Sequence, residues 1–215
     1  MTAKSMAILG ASGHGKVLAE LAELNGYQRI EFYDDAWPVK CQLEHWLIIG
    51  NTNDLFANLA DYDACVVAIG NNAVRLNKLV ALHQKHAALV SLVHPNATVS
   101  RYAQLGIGSV VMANAVVNPF AQVGMGGIIN TGAVVEHDCV LGDAVHLSPN
   151  SALAGGSRLG DGVWLGIGAV TKQLVKIGAN TTIGAGAVVI QDVPSDCIAI
   201  GAPAKVLKSS TAIDS

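Results

Sequence analysis

The stretch from Val93 to Val189 limits the fold of this chain more than any other. Taking every sixth residue from Val93 gives Val99, Leu105, Val111, Val117, Val123, Ile129, Val135, Leu141, Leu147, Leu153, Leu159, Leu165, Thr171, Ile177, Ile183 and Val189. All are aliphatic except Thr171, and the frame never slips. A longer period lies over it: Gly106, Gly124, Gly142, Gly160 and Gly178 are eighteen residues apart. Six nested in eighteen describes a triangular solenoid, with three short strands per coil and equivalent residues stacked from coil to coil. A helix of 3.6 residues per turn does not keep such a repeat on one face.

Two places before each frame residue the side chain is usually small, as at Ala97, Ser109, Ala121, Ala133 and Cys139. Small and large residues therefore alternate inward, since a narrow prism cannot hold two large side chains per strand. The glycines that follow frame residues are expected at turns needing positive φ. Lys172 to Lys176 fits the repeat worst, and a bulge or loose turn is expected there.

Composition agrees with stacked strands. Aromatics are 5% and glycines number 23, which suits thin, close-packed strands better than a helical bundle. The formal charge is −3 with no Lys/Arg cluster, which argues against nucleic acid and anionic membranes as partners. No stretch approaches membrane-spanning length and no basic, then apolar, leader opens the chain, so a cytoplasmic protein is expected. Cys41, Cys65, Cys139 and Cys197 show neither CxxC nor disulfide spacing and read as isolated reduced thiols.

Residues 1–90 read differently. Met6 to Leu9 suits a buried strand, and Gly10-Ala11-Ser12-Gly13-His14-Gly15 follows it. Apolar residues then recur at helical spacing from Val17 to Leu24, stopped by Asn25-Gly26. A strand from Ile30 to Tyr33 ends in Asp34-Asp35, which completes the opening of a Rossmann-like sheet. Further expectations are a strand end at Leu47 to Gly50, a short helix from Thr52 to Leu59 and a strand from Ala64 to Ile69. A helix from about Ala73 to His86 and a strand from Leu89 to Val93 follow. The fold class is thus α/β plus β-solenoid. The Rossmann-like domain covers 1–90, the solenoid 91–208 and a frayed tail 209–215, with the boundary falling between His86 and Pro95.

Gly10 to Lys16 fits G-x-x-x-x-G-K, but Val17 stands where a P-loop needs Ser or Thr for Mg²⁺. Nor is it G-x-G-x-x-G. What remains is a Gly-rich loop at a helix N-terminus, whose N–H groups suit a diphosphate. In the solenoid, His137 lies two places after a frame residue and points away from the core. It is either a surface imidazole or a general base, and an adjacent carboxylate, Asp138, would fix its tautomer. That pairing requires a turn, because neighbours on a strand face opposite ways. Metal ligands on one face of the column must be eighteen or thirty-six residues apart. From His137 those places hold Pro119, Gly155 and Arg101, and from His146 they hold Ile128, Trp164 and Val110, so no metal is expected.

The hexapeptides, closed by DVPSDCIAIGAPAKVL, resemble the hexapeptide acyltransferases, whose solenoid is a left-handed parallel β-helix. That handedness, implied by the resemblance alone, is an exception to the right-handed crossover rule. GASGHGKV, the Asp34-Asp35 pair, AIGNN at 68–72 and VVEHDCVLGDAVHLS at 134–148 narrow the likeness. Together they resemble the sugar O- and N-acetyltransferases that include sialic acid O-acetyltransferases and the UDP-4-amino-sugar N-acetyltransferase of bacillosamine synthesis. The resemblance implies His137 as base with Asp138 behind it. It implies an acetyl-CoA site holding His146, Gly155, Ile167, Ala185 and Lys205, and a nucleotide-sugar site holding Ser12, Gly13, His14, Asp34, Asp35 and Gly70. A backbone N–H in Ala154-Gly155-Gly156 would meet the developing oxyanion, although the same run suits an ordinary turn. Acetyl-CoA is the implied co-substrate, and a homotrimer with active sites between subunits is the implied assembly. The expected reaction is acetylation of the 4-amino group of a UDP-linked amino-dideoxy sugar. O-acetylation of a sialic-acid-type sugar and a non-catalytic nucleotide-sugar-binding scaffold are the alternatives.

Overall fold

The computed structural model describes residues 3–209 and divides between Pro95 and Asn96; residues 210–215 of the expected tail lie outside the described residues. The N-terminal unit contains β1 (Ser5–Leu9), α1 (Gly13–Leu24), β2 (Arg29–Tyr33), β3 (Gln42–Leu43) and β4 (Trp46–Gly50). It continues with α2 (Thr52–Ala57), a 3₁₀ turn at Leu59–Asp61, β5 (Ala64–Val67) and α3 (Asn72–Gln84). The sheet order is β3-β4-β2-β1-β5, parallel except for the β3–β4 hairpin, which the sequence pattern does not announce. β1 and β5 are buried along their whole lengths, as central parallel strands covered on both faces must be. The expected strand from Leu89 to Val93 reduces to a bridge at Leu89 and a pair at Leu92–Val93.

β1 leads through α1 to β2 on one side, whereas β5 lies on its other side, so the strand order reverses at β1. Beyond the carboxyl ends of such strands a crevice opens. Gly10 closes the loop there with φ +109, and a Cβ on it would meet the Ala68 carbonyl oxygen at 2.8 Å. His14, in the first turn of α1, is largely buried, and its Nε2 has no hydrogen-bond partner among the described residues. Burial first, and the Arg75 charge second, push its pKa down to about 4.

In the second unit, strands two residues long stack at eighteen-residue intervals into parallel sheets. One runs Thr98–Val99, Val116–Val117, Val134–Val135, Ala152–Leu153, Val170–Thr171 and Val188–Val189. A second runs from Gln104–Leu105 to Lys176–Ile177, and a third takes in Val110–Val111, Ile128–Ile129, His146–Leu147, Trp164–Leu165 and Thr182–Ile183. Cys197–Ile200 pairs in parallel with Thr182–Ile183, and Lys205–Ser209 folds back on it antiparallel. The frame residues from Val111 to Val189 are buried, and so are the small slots at Ser109, Ala121, Ala133, Cys139 and Ser157. Each frame side chain taken from water contributes about 1.5–3 kcal/mol.

The expectation for the eighteen-residue glycines is corrected. Gly106, Gly124, Gly142, Gly160 and Gly178 do not have positive φ. They are glycine because the next coil leaves no room. A Cβ on Gly124 would lie 2.6 Å from the Gly142 carbonyl carbon, and one on Gly160 would lie 2.6 Å from the Ala179 nitrogen. Positive φ falls instead three places after every frame residue from Leu105 to Ile183, at Gly108, Asn114, Phe120, Gly126, Gly132, Asp138, Ala144 and onward. That is the third residue of a turn whose first carbonyl accepts the N–H three residues on, as in a type II turn. Lys172 to Lys176 likewise forms no bulge. Leu174 takes the positive-φ place, at +63°, and its N–H reaches the Gly155 carbonyl at 3.0 Å.

Replacing Gly124 with Ala puts a methyl group into backbone that cannot yield, so a loss of about 1–3 kcal/mol is expected. Gly168→Ala, with open space around its Cβ, costs only its strained φ, about 1–2 kcal/mol. Equal loss of stability in the two variants, measured by chemical denaturation, would show that stacking is not the constraint. For His14 the sign runs with acid. Between about pH 6.5 and pH 4 the unfolded chain binds a proton that the folded one refuses, so stability falls as pH drops through that window. His14→Gln is expected to flatten the fall in Tm over that window; an unchanged slope counts against burial of a neutral imidazole.

Candidate active site

The turn after Val134–Val135 carries His137 and Asp138. Asp138 sits at φ +60°, and that left-handed residue swings its carboxylate back toward its neighbour. His137 Nδ1 and Asp138 Oδ2 are 2.8 Å apart, with both side chains exposed. A carboxylate only accepts, so Nδ1 carries the proton and Nε2 keeps its lone pair. The ring lies against Gly155, one coil on: a Cβ there would come within 2.7 Å of both Cε1 and Nε2 of His137. The His137 carbonyl also accepts the Gly156 N–H at 2.9 Å. His137 is thus seated on Gly155 and held in one tautomer. No partner for the Gly155 N–H is found among the described residues.

His146 faces a different environment, on the sheet of Ile128–Ile129 and Trp164–Leu165. Its ring lies parallel to Trp164, at 3° and 5.7 Å between centroids, and its Nε2 is 3.2 Å from Asn130 Nδ2. Trp164 Nε1 donates to Ser148 Oγ at 2.8 Å. These side chains, with Ile167 and Ala185, line a mostly apolar cleft of about 360 Å³. Three of the five residues expected to bind acetyl-CoA therefore converge. Gly155 lies outside that cleft, against the His137 ring, and Lys205 is exposed on the terminal hairpin. Trp164 was missed as a site residue, although its place eighteen residues after His146 is a readable signal.

In the N-terminal unit, the crevice beyond β1 and β5 has a volume of about 280 Å³. It is lined by Gly10, Ala11, Ser12, Asp34, Asp35 and Gly70, together with Lys78 from α3. The two aspartates differ. Asp34 accepts the Ala11 and Ala36 N–H groups, at 2.7 and 2.9 Å, and so shapes the loop itself. Asp35 accepts the Thr52 N–H at 3.0 Å and Lys78 Nζ at 2.9 Å. Hydrogen bonding from the Thr52 side chain, then from Lys78, outweighs partial burial and holds its carboxyl down at about 2. Lys78 also donates to Thr52 Oγ1 at 2.7 Å and sets a cation in the crevice wall. Neither Lys78 nor Thr52 belongs to any motif in the sequence; tertiary folding alone brings them here. A Cβ on Gly70, which lines the crevice, would meet nothing within 4 Å, and the same holds for Gly13 outside it. Gly13 and His14 lie in the first turn of α1 but do not line the crevice. The Gly70 segment is fixed from beneath by buried Arg75, which donates to the Ile69 and Gly70 carbonyls at 3.0 Å each.

Among the described residues no group of three or more His, Cys, Asp or Glu side chains is placed to hold a metal ion. No helix among them is long and apolar enough to cross a membrane.

Residues 5–82 match the family model described as the PglD N-terminal domain. Among solved structures, the acetyltransferase domain of PglB from Neisseria gonorrhoeae FA1090, in complex with acetyl coenzyme A, is 40% identical. It superposes with a TM-score of 0.91 over 96% of this chain and 100% of that one. PerB from Caulobacter crescentus, in complex with CoA and GDP-perosamine, is 38% identical with a TM-score of 0.91 over 96% and 99%. A curated relative, the UDP-N-acetylbacillosamine N-acetyltransferase of Bacillus subtilis (strain 168), is 36% identical over 110 residues. That match spans about half of each, 50% of this chain and 50% of the relative. With the β-helix, the His137–Asp138 turn and the glycine loop in place, these likenesses agree: the chain belongs to the PglD-type family of hexapeptide-repeat sugar N-acetyltransferases.

Proposed function

We propose that the protein transfers the acetyl group of acetyl-CoA to the 4-amino group of a nucleotide-linked amino-dideoxy sugar, with His137 as general base. The observation that carries this reading is the seating of His137: Nδ1 bound to Asp138 at 2.8 Å, Nε2 left as acceptor, the ring against Gly155. The sugar amine loses a proton to Nε2 as its nitrogen bonds to the thioester carbonyl carbon. The Gly155 N–H donates to the oxyanion so formed. The C–S bond then breaks, CoA leaves as thiolate, and the proton on His137 neutralises it. No covalent enzyme intermediate is required. The apolar cleft at His146, Trp164, Ile167 and Ala185 takes the pantetheine arm, and Lys205 meets the CoA phosphates. The crevice at Ser12, Asp34, Asp35 and Gly70, with Lys78 in its wall, takes the nucleotide diphosphate; Gly13 and His14 stand at the helix end beside it.

Within one chain, the turn of His137 and the cleft of His146 belong to different sheets of the prism and share no lining residue. A second copy resolves this, and the proposal includes a homotrimer with active sites formed between subunits. A monomer in sedimentation that still turns over at full rate would remove that part.

The direct test is mass-spectrometric detection of acetylated product from acetyl-CoA with UDP-, GDP- and dTDP-linked 4-amino sugars, and with a hydroxyl acceptor such as sialic acid. Product with the UDP-linked amine is expected; product only with the hydroxyl acceptor would reassign the reaction. His137→Asn is expected to lower kcat by about 10²–10⁴ while acetyl-CoA binding by calorimetry persists. Gly155→Ala, which drives a methyl group into the imidazole, is expected to act in the same direction, by about 10². Near-normal turnover in either variant would overturn the assignment of the base.

A further inference from the structure

Thr171 is the single frame residue that is not aliphatic, and between Ser100 and Lys172 it stands at the single place where the coil-to-coil ladder changes partner. At the other coils from Ser100 to Lys172, the N–H one place after a frame residue donates to the carbonyl eighteen residues beyond that frame residue. Asn118 donates to Val135, Glu136 to Leu153, Ser148 to Leu165, Gly160 to Ile177 and Lys172 to Val189, at 2.7–3.1 Å. The Ala154 N–H instead donates to the Thr171 hydroxyl, Oγ1, at 3.1 Å. Accordingly, Ala152 pairs with Val170 but the pairing stops before Leu153 and Thr171. The backbone leaves its ladder at the residue before Gly155, against which His137 rests.

The next atoms along complete the arrangement. The Ala154 carbonyl accepts Ser157 Oγ at 2.6 Å and Cys139 Sγ at 3.4 Å, from two side chains with no exposed surface. Ser157 Oγ is also 3.1 Å from Thr171 Oγ1, which joins both grips in one buried network. That carbonyl and the Gly155 N–H belong to the same peptide plane. In a planar trans peptide they point in opposite directions, so a carbonyl drawn to the core sends the Gly155 N–H outward. A valine in the frame could make neither bond from its side chain.

We infer that Thr171, acting with Ser157, is a positioning residue: its hydroxyl replaces one ladder bond so that the Gly155 peptide presents its N–H to the reacting carbonyl beside His137. The inference rests on the proposed acetyl transfer and on Gly155 as oxyanion donor. Neither Thr171 nor Ser157 touches the reacting atoms; both lie beneath the backbone that does. Donor geometry decides such stabilisation, because a hydrogen bond aimed at the ground state but not at the oxyanion lowers no barrier.

Thr171→Val is nearly isosteric and restores the aliphatic frame, so a purely structural role predicts equal or higher Tm with turnover unchanged. The positioning role predicts that kcat falls on the order of tenfold to a hundredfold, with KM for acetyl-CoA unchanged and Tm kept. Thr171→Ser, which keeps the hydroxyl, is expected to retain kcat within about twofold, and Ser157→Ala to fall in the direction of Thr171→Val. Wild-type kcat in Thr171→Val, or an equal fall in Thr171→Val and Thr171→Ser, overturns the inference. If the wild-type protein acetylates none of the acceptors, the proposed function fails first, whatever the variants do. Turnover in wild type with no effect of Thr171→Val removes the positioning role alone.

Discussion

The separation between coils governs everything in the second unit. Strands of two residues have no stability by themselves; they persist because each coil donates its N–H groups to the carbonyls of the next. That ladder brings backbone against backbone so closely that a Cβ at Gly124 or Gly160 has no place to go. It leaves two kinds of address for side chains. Inward slots alternate between aliphatic and small, and the turns and outer faces are open. Chemistry can enter only at the second kind, and the His137–Asp138 turn and the His146–Trp164 face are both of it.

The N-terminal unit works by different means. Its crevice follows from strand order, and its electrostatics from a division of labour among acids that look alike in sequence. Asp34 ties the glycine loop to the end of β2, whereas Asp35 pairs with Lys78 and stays ionised to about pH 2. Beneath them Arg75 anchors the Gly70 carbonyl, and its field helps to keep His14 neutral. The wall of the crevice therefore carries the Lys78 ammonium paired with the Asp35 carboxylate beside the glycine loop.

Much of this was legible in the chain because a strict period leaves few architectures. The prism, its frame and its small slots are written residue by residue from Val99 to Val189. The closeness of His137 to Gly155 follows from their spacing of eighteen. The glycine column was legible as a column but not in its cause, because glycine answers two demands, positive φ and close approach, and only coordinates separate them. The positive-φ places carry Asn, Asp, Ala, Phe, Leu and Gly, and no single residue type advertises them. For the same reason Lys172 to Lys176 reads as irregular yet folds as an ordinary turn. Lys78, Thr52 and the β3–β4 hairpin depend on contacts across the sheet, for which periodicity has no sign. Thr171 was visible as an exception, but its meaning needed the ladder bond that it replaces.

The left-handed place three residues after the frame residues from Leu105 to Ile183 has a wider consequence. It repeats along one edge of the column as Phe120, Asp138, Gly156 and Leu174, residues with nothing in common but that backbone geometry. The core does not read their identity, since their side chains lie outside it. The edge is a row of equivalent sockets along a translation of eighteen residues, and a His–Asp pair would find nearly the same backbone one coil up or down. What the other coils lack is the hydroxyl at the frame position, which Thr171 alone supplies: the column offers many places to hold a base and one place where the frame itself can bend the backbone beside it.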